Sequence, residues 1–228
     1  MIFSNVKSIT IPEGVVKKIE AGNKVLWSAG GLPSAYQQVE YIGAVEAVQA
    51  YFDLKIAFDT AAKIRMTYYH ANSNQIFGAA ENSGILRFMM SASSPTVMSY
   101  YGSTGSKYIT NTLTAVQNAF NTTEFSLKPG QLLTENFTSG QTGKMTTQAS
   151  YTMSSNLYLF GQMYNGSVRV NGVRRIKEFK YWDKNDELIC DLVPCYRKSD
   201  SVIGMYDLVR NIFFTSEGTG AFTKGANV

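Results

Sequence analysis

The residues of this chain that could do chemistry are few and scattered. Retaining glycoside hydrolysis needs two carboxyl groups about 5 Å apart. A strand supplies them through a Glu-x-Asp-x-x-Glu run, whose alternate side chains share one face, and the chain contains no such run. Asp53 and Asp59 are spaced to share a strand face, but Asp59 sits in a turn-like Phe58-Asp59-Thr60, so two separate surface acids are expected. His70 is the single histidine, and any Ser-His-Asp or Cys-His arrangement would have to use it. In Tyr68-Tyr69-His70-Ala71-Asn72-Ser73-Asn74 it reads as an exposed residue where a strand enters a polar turn. No catalytic residue is assigned, and the chain is expected not to be an enzyme. One histidine and no clustered cysteines also argue against zinc. Asp183-Lys184-Asn185-Asp186-Glu187 has the oxygens that calcium prefers. Between Trp182 and Leu188, however, it reads as an ordinary polar hairpin loop. No metal and no cofactor are expected.

Binding is harder to dismiss than catalysis. Sugars are held by aromatic faces against C–H surfaces and by polar side chains or backbone groups that read hydroxyls. Tyr100-Tyr101-Gly102-Ser103 and Tyr164-Asn165-Gly166-Ser167 set aromatics beside polar loop residues, where loops on a rigid sheet carry function. Tyr100, Tyr101, Tyr164 and Asn165 are therefore the candidate ligand-binding residues. The competing reading is that these tyrosines pack strand ends or line a subunit interface.

Composition narrows the rest. A chain of 228 residues that is 44% hydrophobic and 13% aromatic can bury a real core, which excludes wholesale disorder. Its charged fraction of 17% is below the roughly 25% usual for globular chains. Thr, Ser, Asn, Tyr and Gly fill the gap, as they do in strands and turns. The formal net charge of +4 is mild, and the densest basic stretch, Arg174-Arg175 with Lys177 and Lys180, reads as a solvated strand face. Nucleic acid is a poor partner for it. Cys190 and Cys195 enclose Pro194 in too short a loop for an unstrained disulfide, so both read as free thiols, at least one in the core. That usage suits synthesis in a reducing cytoplasm. The start, Met-Ile-Phe-Ser-Asn-Val-Lys, lacks signal-peptide character, and no apolar stretch approaches the roughly 20 residues of a membrane span, so no membrane insertion is expected.

The elements that must carry these residues read as strands. Residues 1–30 form a small unit of three strands: Val6 to Ile11, Val15 to Ala21 and Lys24 to Trp27. Alone it would be marginal, and Ser28-Ala29-Gly30-Gly31 links it to the rest of the chain. From residue 31 to 228 short strand candidates alternate with Gly, Asn and Ser clusters. They cover 50–58, 63–69, 75–79, 86–90, 97–101, 120–127, 131–137, 156–161, 168–170, 175–182 and 188–193. Leu157-Tyr158-Leu159-Phe160 is apolar on both faces and so central in its sheet; Lys177, Phe179 and Tyr181 alternate with Glu178 and Lys180. The best helical candidate, Thr112 to Ala119, is two turns at most. The fold class is all-β, an antiparallel β-sandwich behind a small β meander.

Two stretches resemble phage and prophage tail-associated virion proteins, whose main domain is a concanavalin A-like (laminin-G-like) jelly roll. The first is Leu32-Pro33-Ser34-Ala35-Tyr36-Gln37-Gln38-Val39-Glu40-Tyr41-Ile42. The second runs from Arg175-Ile176-Lys177-Glu178-Phe179-Lys180-Tyr181-Trp182 through Asp191-Leu192-Val193-Pro194-Cys195-Tyr196-Arg197-Lys198-Ser199-Asp200. It continues with Val202-Ile203-Gly204-Met205-Tyr206-Asp207-Leu208-Val209 and closes on Gly218-Thr219-Gly220-Ala221-Phe222-Thr223-Lys224-Gly225. Ile11 to Ile19, with Val25-Leu26-Trp27, is similar to a short module that precedes such domains, whereas Ala44-Val45-Glu46-Ala47-Val48-Gln49 departs from the Gly/Thr-rich turn expected there.

The resemblance implies a virion protein of the tail, baseplate or fibre that attaches to a host-surface glycan. Residues 1–30 would dock it to other virion proteins, and the assembly would be a homo-oligomer, trimeric by analogy. The alternative is a structural decoration protein of head or baseplate that stabilises the particle without binding sugar. An unusual glycanase is the third reading.

Overall fold

The computed structural model describes residues 18–21, 24–28, 31–44, 49–57, 63–70, 75–80, 85–90, 96–102, 109–128, 131–146, 155–164, 166–169 and 174–228. Among them every regular element is a strand. β1 (Lys18–Ala21) and β2 (Lys24–Ser28) pair antiparallel as a sheet of their own. The strand expected at Val6 to Ile11 lies outside the described residues.

The next strands in the chain are β3 (Tyr36–Gln38), β4 (Ile42–Ala44), β5 (Phe52–Ala57), β6 (Lys63–His70), β7 (Gln75–Ala80), β8 (Ile85–Met90), β9 (Thr96–Gly102) and β10 (Ile109–Thr114). After them come β11 (Ala119–Lys128), β12 (Gln131–Asn136), β13 (Gln141–Thr146), β14 (Asn156–Leu159), β15 (Gln162–Tyr164) and β16 (Ser167–Arg169). The last are β17 (Arg174–Trp182), β18 (Leu188–Arg197), β19 (Ile203–Asp207), β20 (Ile212–Phe214) and β21 (Thr223–Lys224). An eight-stranded sheet runs β10-β9-β8-β7-β14-β5, with β15 and β16 attached beside β7. An eleven-stranded sheet runs β13-β12-β11-β6-β17-β18-β19-β20, with β3, β4 and β21 paired along it. All these pairings are antiparallel except β15 with β7.

The sheets meet through side chains that alternate along each strand. In β6, Ile64, Met66, Tyr68 and His70 are buried and the residues between them half-buried. Phe52, Leu54, Ile56, Leu157 and Leu159 of the eight-stranded sheet join Ile64, Met66, Phe125, Phe179, Tyr181 and Leu192 of the other in one core. Phe222, just before β21, stacks on Phe52 with ring centroids 4.4 Å apart and packs on Phe160 at 5.0 Å. Two stacked layers with one shared interior make a sandwich, as the patterning predicts.

Several local expectations change. Thr112 to Ala119 is not helical: β10 ends at Thr114 and a turn leads into β11. His70 is buried rather than exposed, because it occupies the inward phase of β6. Ile176 is buried and Lys177 exposed, reversing the simple alternation with Phe179, because a bulge interrupts the pairing of β17 with β6 between Ile176 and Glu178. Both cysteines are free and buried. They lie five positions apart on extended β18, roughly 17 Å at strand rise, well beyond disulfide reach. Burial pushes both thiols up, Cys195 to about 12. Leu157 to Phe160 is buried throughout, with β14 lying between β7 and β5.

Candidate functional site

The site begins with an irregularity in β5. Asp53 pairs with Tyr158 and Ala57 with Asn156, so β5 has two more residues than β14 between those points. The excess is taken up at Lys55, which adopts a left-handed conformation with φ of 54°. That conformation is unusual for a non-glycine residue, and here local hydrogen bonding supports it. The Lys55 N–H donates to Asp53 Oδ1 at 2.9 Å, and Lys55 Nζ curls back to Oδ2 at 2.7 Å. Leu54 and Ile56 still reach the core, whereas Asp53 lies on the outer side of the sheet with Tyr158. Asn156 Nδ2 donates to Asp53 Oδ2 at 3.2 Å, and the Tyr158 hydroxyl donates to the same atom at 3.3 Å.

A cavity of about 460 Å³ opens over this cluster, lined by Gln49, Tyr51, Asp53, Tyr158, Met163, Gly166, Ser167, Val168 and Glu217. Three separate stretches of chain close around it, and glycine lets them approach. A Cβ on Gly218 would stand 1.7 Å from the Gln49 carbonyl oxygen, so only glycine fits there. The adjoining Glu217 N–H donates to the Tyr51 oxygen at 3.0 Å, and the Gly220 N–H to that of Gln49 at 3.0 Å. This docking carries the Glu217 side chain to the cavity. On the opposite wall a Cβ at Gly161 would stand 3.0 Å from Val168 Cγ1 and 3.3 Å from Tyr51 Cβ, so the β15–β16 hairpin too closes down on Tyr51.

The two acids of the cavity differ. Burial alone would raise the Asp53 carboxyl, but the hydrogen bonds from the Lys55 side chain and backbone and from Asn156 outweigh it and hold Asp53 below the usual carboxylate range. Glu217 is 49% exposed, and its nearest cation is the same Lys55 Nζ, 3.8 Å away. Burial and the adjacent Asp53 charge push the Tyr158 phenol up to about 12, so it stays a hydrogen-bond donor. The rings of Tyr51 and Tyr158 are tilted together with centroids 5.9 Å apart. Aromatic surface, open acceptors and a hydroxyl from Ser167 thus share one concavity.

The residues expected from sequence fall around this cavity unevenly. Tyr164 ends β15, and Gly166 and Ser167, the latter opening β16, belong to the lining. The Tyr164 ring itself lies under the Arg169 guanidinium at 3.7 Å and is not part of the wall. Asn165 lies outside the described residues, as does Asp59. Tyr100 and Tyr101 are on β9; the register from Tyr164 through Ala80 and Ile85 leads to Gly102, three strands away. That is roughly 14 Å across the sheet, so Tyr100 and Tyr101 are not brought to Tyr164. The loop expected at Asp183 to Glu187 is a hairpin loop whose acid faces its own backbone. Asp183 Oδ1 accepts from the N–H groups of Asn185 and Glu187 at 2.8 and 2.9 Å. Among the described residues no group of three or more His, Cys, Asp or Glu side chains is gathered as for a metal.

Asp53, expected as a surface acid, is instead buried among hydrogen-bond donors; its convergence with Glu217, Tyr51 and Tyr158 escapes sequence reasoning. Asp53 carried a signal, a lone acid inside the apolar run Tyr51-Phe52-Asp53-Leu54. Glu217 carried none, because its place depends on a loop docking onto residues more than 160 positions earlier.

No family model matches this chain, and no curated protein does. Solved structures do match. Mouse laminin α1 chain, domains LG4-5, is 10% identical with a TM-score of 0.53 and aligns over 84% of this chain and 48% of its own. The LG1-3 region of the laminin α2 chain is 13% identical with a TM-score of 0.50, over 83% of this chain and 35% of its own. The heptameric SAP-like pentraxin of Limulus polyphemus is 10% identical with a TM-score of 0.48, over 86% and 92%. The chain spans about half the length of the laminin α1 LG4-5 structure it matches, and about a third of the α2 LG1-3 region. At these identities the likeness is one of fold: this is a laminin-G-like, concanavalin A-like jelly roll.

Proposed function

We propose that this chain is a non-enzymatic virion surface protein of a phage or prophage, attaching to a host-surface glycan through the cavity over Asp53. The observation that carries the reading is the cavity itself: two tyrosine rings, two acids, Gln49 and Ser167 converge on one opening of a laminin-G-like sandwich. Aromatic faces with convergent polar groups are what a sugar requires. The phage assignment rests on the closing run from Arg175 to Gly225 and on the opening Leu32 to Ile42, which resemble tail-associated proteins. Homo-oligomeric assembly and docking through residues 1–30 belong to the same proposal.

The non-enzymatic part rests on the acids. A glycosidase needs one carboxyl kept protonated to serve as acid. Asp53 is held ionised by four donors, and Lys55 stands between it and Glu217.

Host-cell retention and a glycan array test the reading. The chain should be retained on host cells and on a subset of glycans, Tyr51→Ala should abolish retention without unfolding, and no reducing ends should appear on incubation. Silence on cells and array would favour the decoration protein. Release of reducing ends, lost in Glu217→Gln, would favour the glycanase.

A further inference from the structure

Resting on that reading, we infer that the cavity takes an uncharged, hydroxyl-rich sugar and rejects acidic ones, and that Glu217 sets this choice. The acids lining it are Asp53 and Glu217, and no Lys or Arg is among its described lining residues. The nearest ammonium, Lys55 Nζ, is engaged by both acids, at 2.7 and 3.8 Å. One cation between two carboxylates leaves the opening with an excess negative charge. An incoming uronate, sialate or phosphate would meet that charge with no free cation among the described lining residues to receive it, and partly desolvated like charges repel strongly.

The hydrogen-bonding capacity points the same way. The Asp53 oxygens already accept from Lys55 N and Nζ, Asn156 Nδ2 and the Tyr158 hydroxyl. Glu217 is half exposed, with only the longer Lys55 contact on its carboxylate among the described residues, so its oxygens are open to donors from a ligand. Sugar hydroxyls are such donors, and a carboxylate can accept from two of them at once. The paired rings of Tyr51 and Tyr158 offer apolar surface to the C–H face of the same sugar. Glu217 is thus the specificity-determining residue, and Asp53 with Lys55 is the frame it works against.

The test compares matched ligands on the full chain by titration calorimetry or ligand-observed NMR: methyl glycosides of neutral hexoses against the corresponding uronic acids. The neutral member of each pair should bind at least ten-fold more tightly. Glu217→Gln, which keeps the shape and removes the charge, should narrow that gap several-fold. Glu217→Lys should raise uronate affinity at least ten-fold, with circular dichroism and melting temperature unchanged. Wild-type binding of acidic glycans equal to neutral ones, abolished by Tyr51→Ala, would overturn this inference and leave the glycan-attachment reading standing. An unchanged gap in both Glu217 variants would remove Glu217 from the role. Binding of neither class would overturn the attachment reading and this inference together.

Discussion

Asp53 and Asp207 are both buried carboxylates that gather donors from the residues just after them, and the contrast between them explains where this sandwich is sealed and where it is open. Asp207, at the end of β19, is fully buried. Its Oδ1 accepts from the N–H groups of Asp191 at 3.1 Å, Val209 at 2.9 Å and Arg210 at 3.3 Å, and its Oδ2 from the Arg210 guanidinium. Arg210 Nη1 then crosses to the other sheet and donates to the Leu54 oxygen at 2.8 Å, while Nη2 approaches Cys190 Sγ on neighbouring β18 at 3.5 Å. Leu54 lies in the bulge that curls Lys55 onto Asp53. The two clusters therefore adjoin across β5, one closed by an arginine fork and the other bordered by a lysine that is 59% exposed. A planar fork locked by several bonds cannot leave, whereas a lone ammonium on a flexible stem can shift. Saturating an acid with donors is common to both clusters; the cavity and the second carboxylate distinguish the one that can bind.

The sealed side should be the more costly to break. Asp207→Ala strands the Arg210 guanidinium and should cost about 3–5 kcal/mol, read as a lower denaturation midpoint at unchanged slope. Loss of glycan retention should accompany it if the Leu54 anchor holds the bulge in place. A cost under about 1 kcal/mol would mean that the sheets are not stapled here.

The next largest effect should come from the cavity wall. Gly218→Ala puts a methyl group onto the Gln49 carbonyl, and overpacking of this kind costs about 1–3 kcal/mol. Because the displaced segment carries Glu217, glycan binding should fall further than stability does. Retention of full binding would show that Glu217 reaches the cavity without that docking.

Asp53→Asn should cost about 1–2 kcal/mol at neutral pH, since it weakens the Lys55 contact but keeps the shape. The folded-state pKa of Asp53 lies below its unfolded value of 3.8. Its contribution is therefore complete above the unfolded value and disappears as pH falls through the folded one. The stability gap between wild type and variant should be constant from about pH 5 to 8 and close in stronger acid. A gap that widens on acidification would reverse the sign assigned to Asp53.

How far each region is legible in the sequence depends on the range of its interactions. The alternation of Ile64, Met66 and Tyr68, or the doubly apolar Leu157 to Phe160, is local, and the strands it predicts stand. The closing run is legible only in part: Arg197 is held locally by Asp200 at 2.6 Å, whereas Arg210, Glu217 and Phe222 reach Leu54, Tyr51 and Phe52 far back in the chain. Bulges break the local rule: nothing in Ile176-Lys177-Glu178 announces that the phase shifts there. The weak alternation of Ile109 to Thr114 and Gln141 to Thr146 conceals β10 and β13, which are held by pairing with their neighbours. The cavity is least legible of all. It depends on residues 49–53, 158–168 and 217 meeting, and the local signals are two: the acid Asp53 inside an apolar run, and Gly166-Ser167 beside Tyr164, which does not line it.

The smallest effect sharpens the comparison from outside both clusters. Asp183, like Asp53 and Asp207, accepts from N–H groups that come after it in the chain: Asn185 N at 2.8 Å, Glu187 N at 2.9 Å and Asn185 Nδ2 at 3.1 Å. It sits in an exposed hairpin loop, apart from the cavity of Asp53. Solvent can replace those bonds, so Asp183→Ala should cost only about 0.5–1 kcal/mol. A chelator should leave the melting temperature of wild type and variant alike unchanged, because the carboxylate oxygens that would bind calcium face the loop's own donors. A drop of several degrees with chelator, absent in Asp183→Ala, would turn this loop from a self-satisfied turn into an ion site. It would also show that the same arrangement of acid and succeeding amides has a third use in this sandwich.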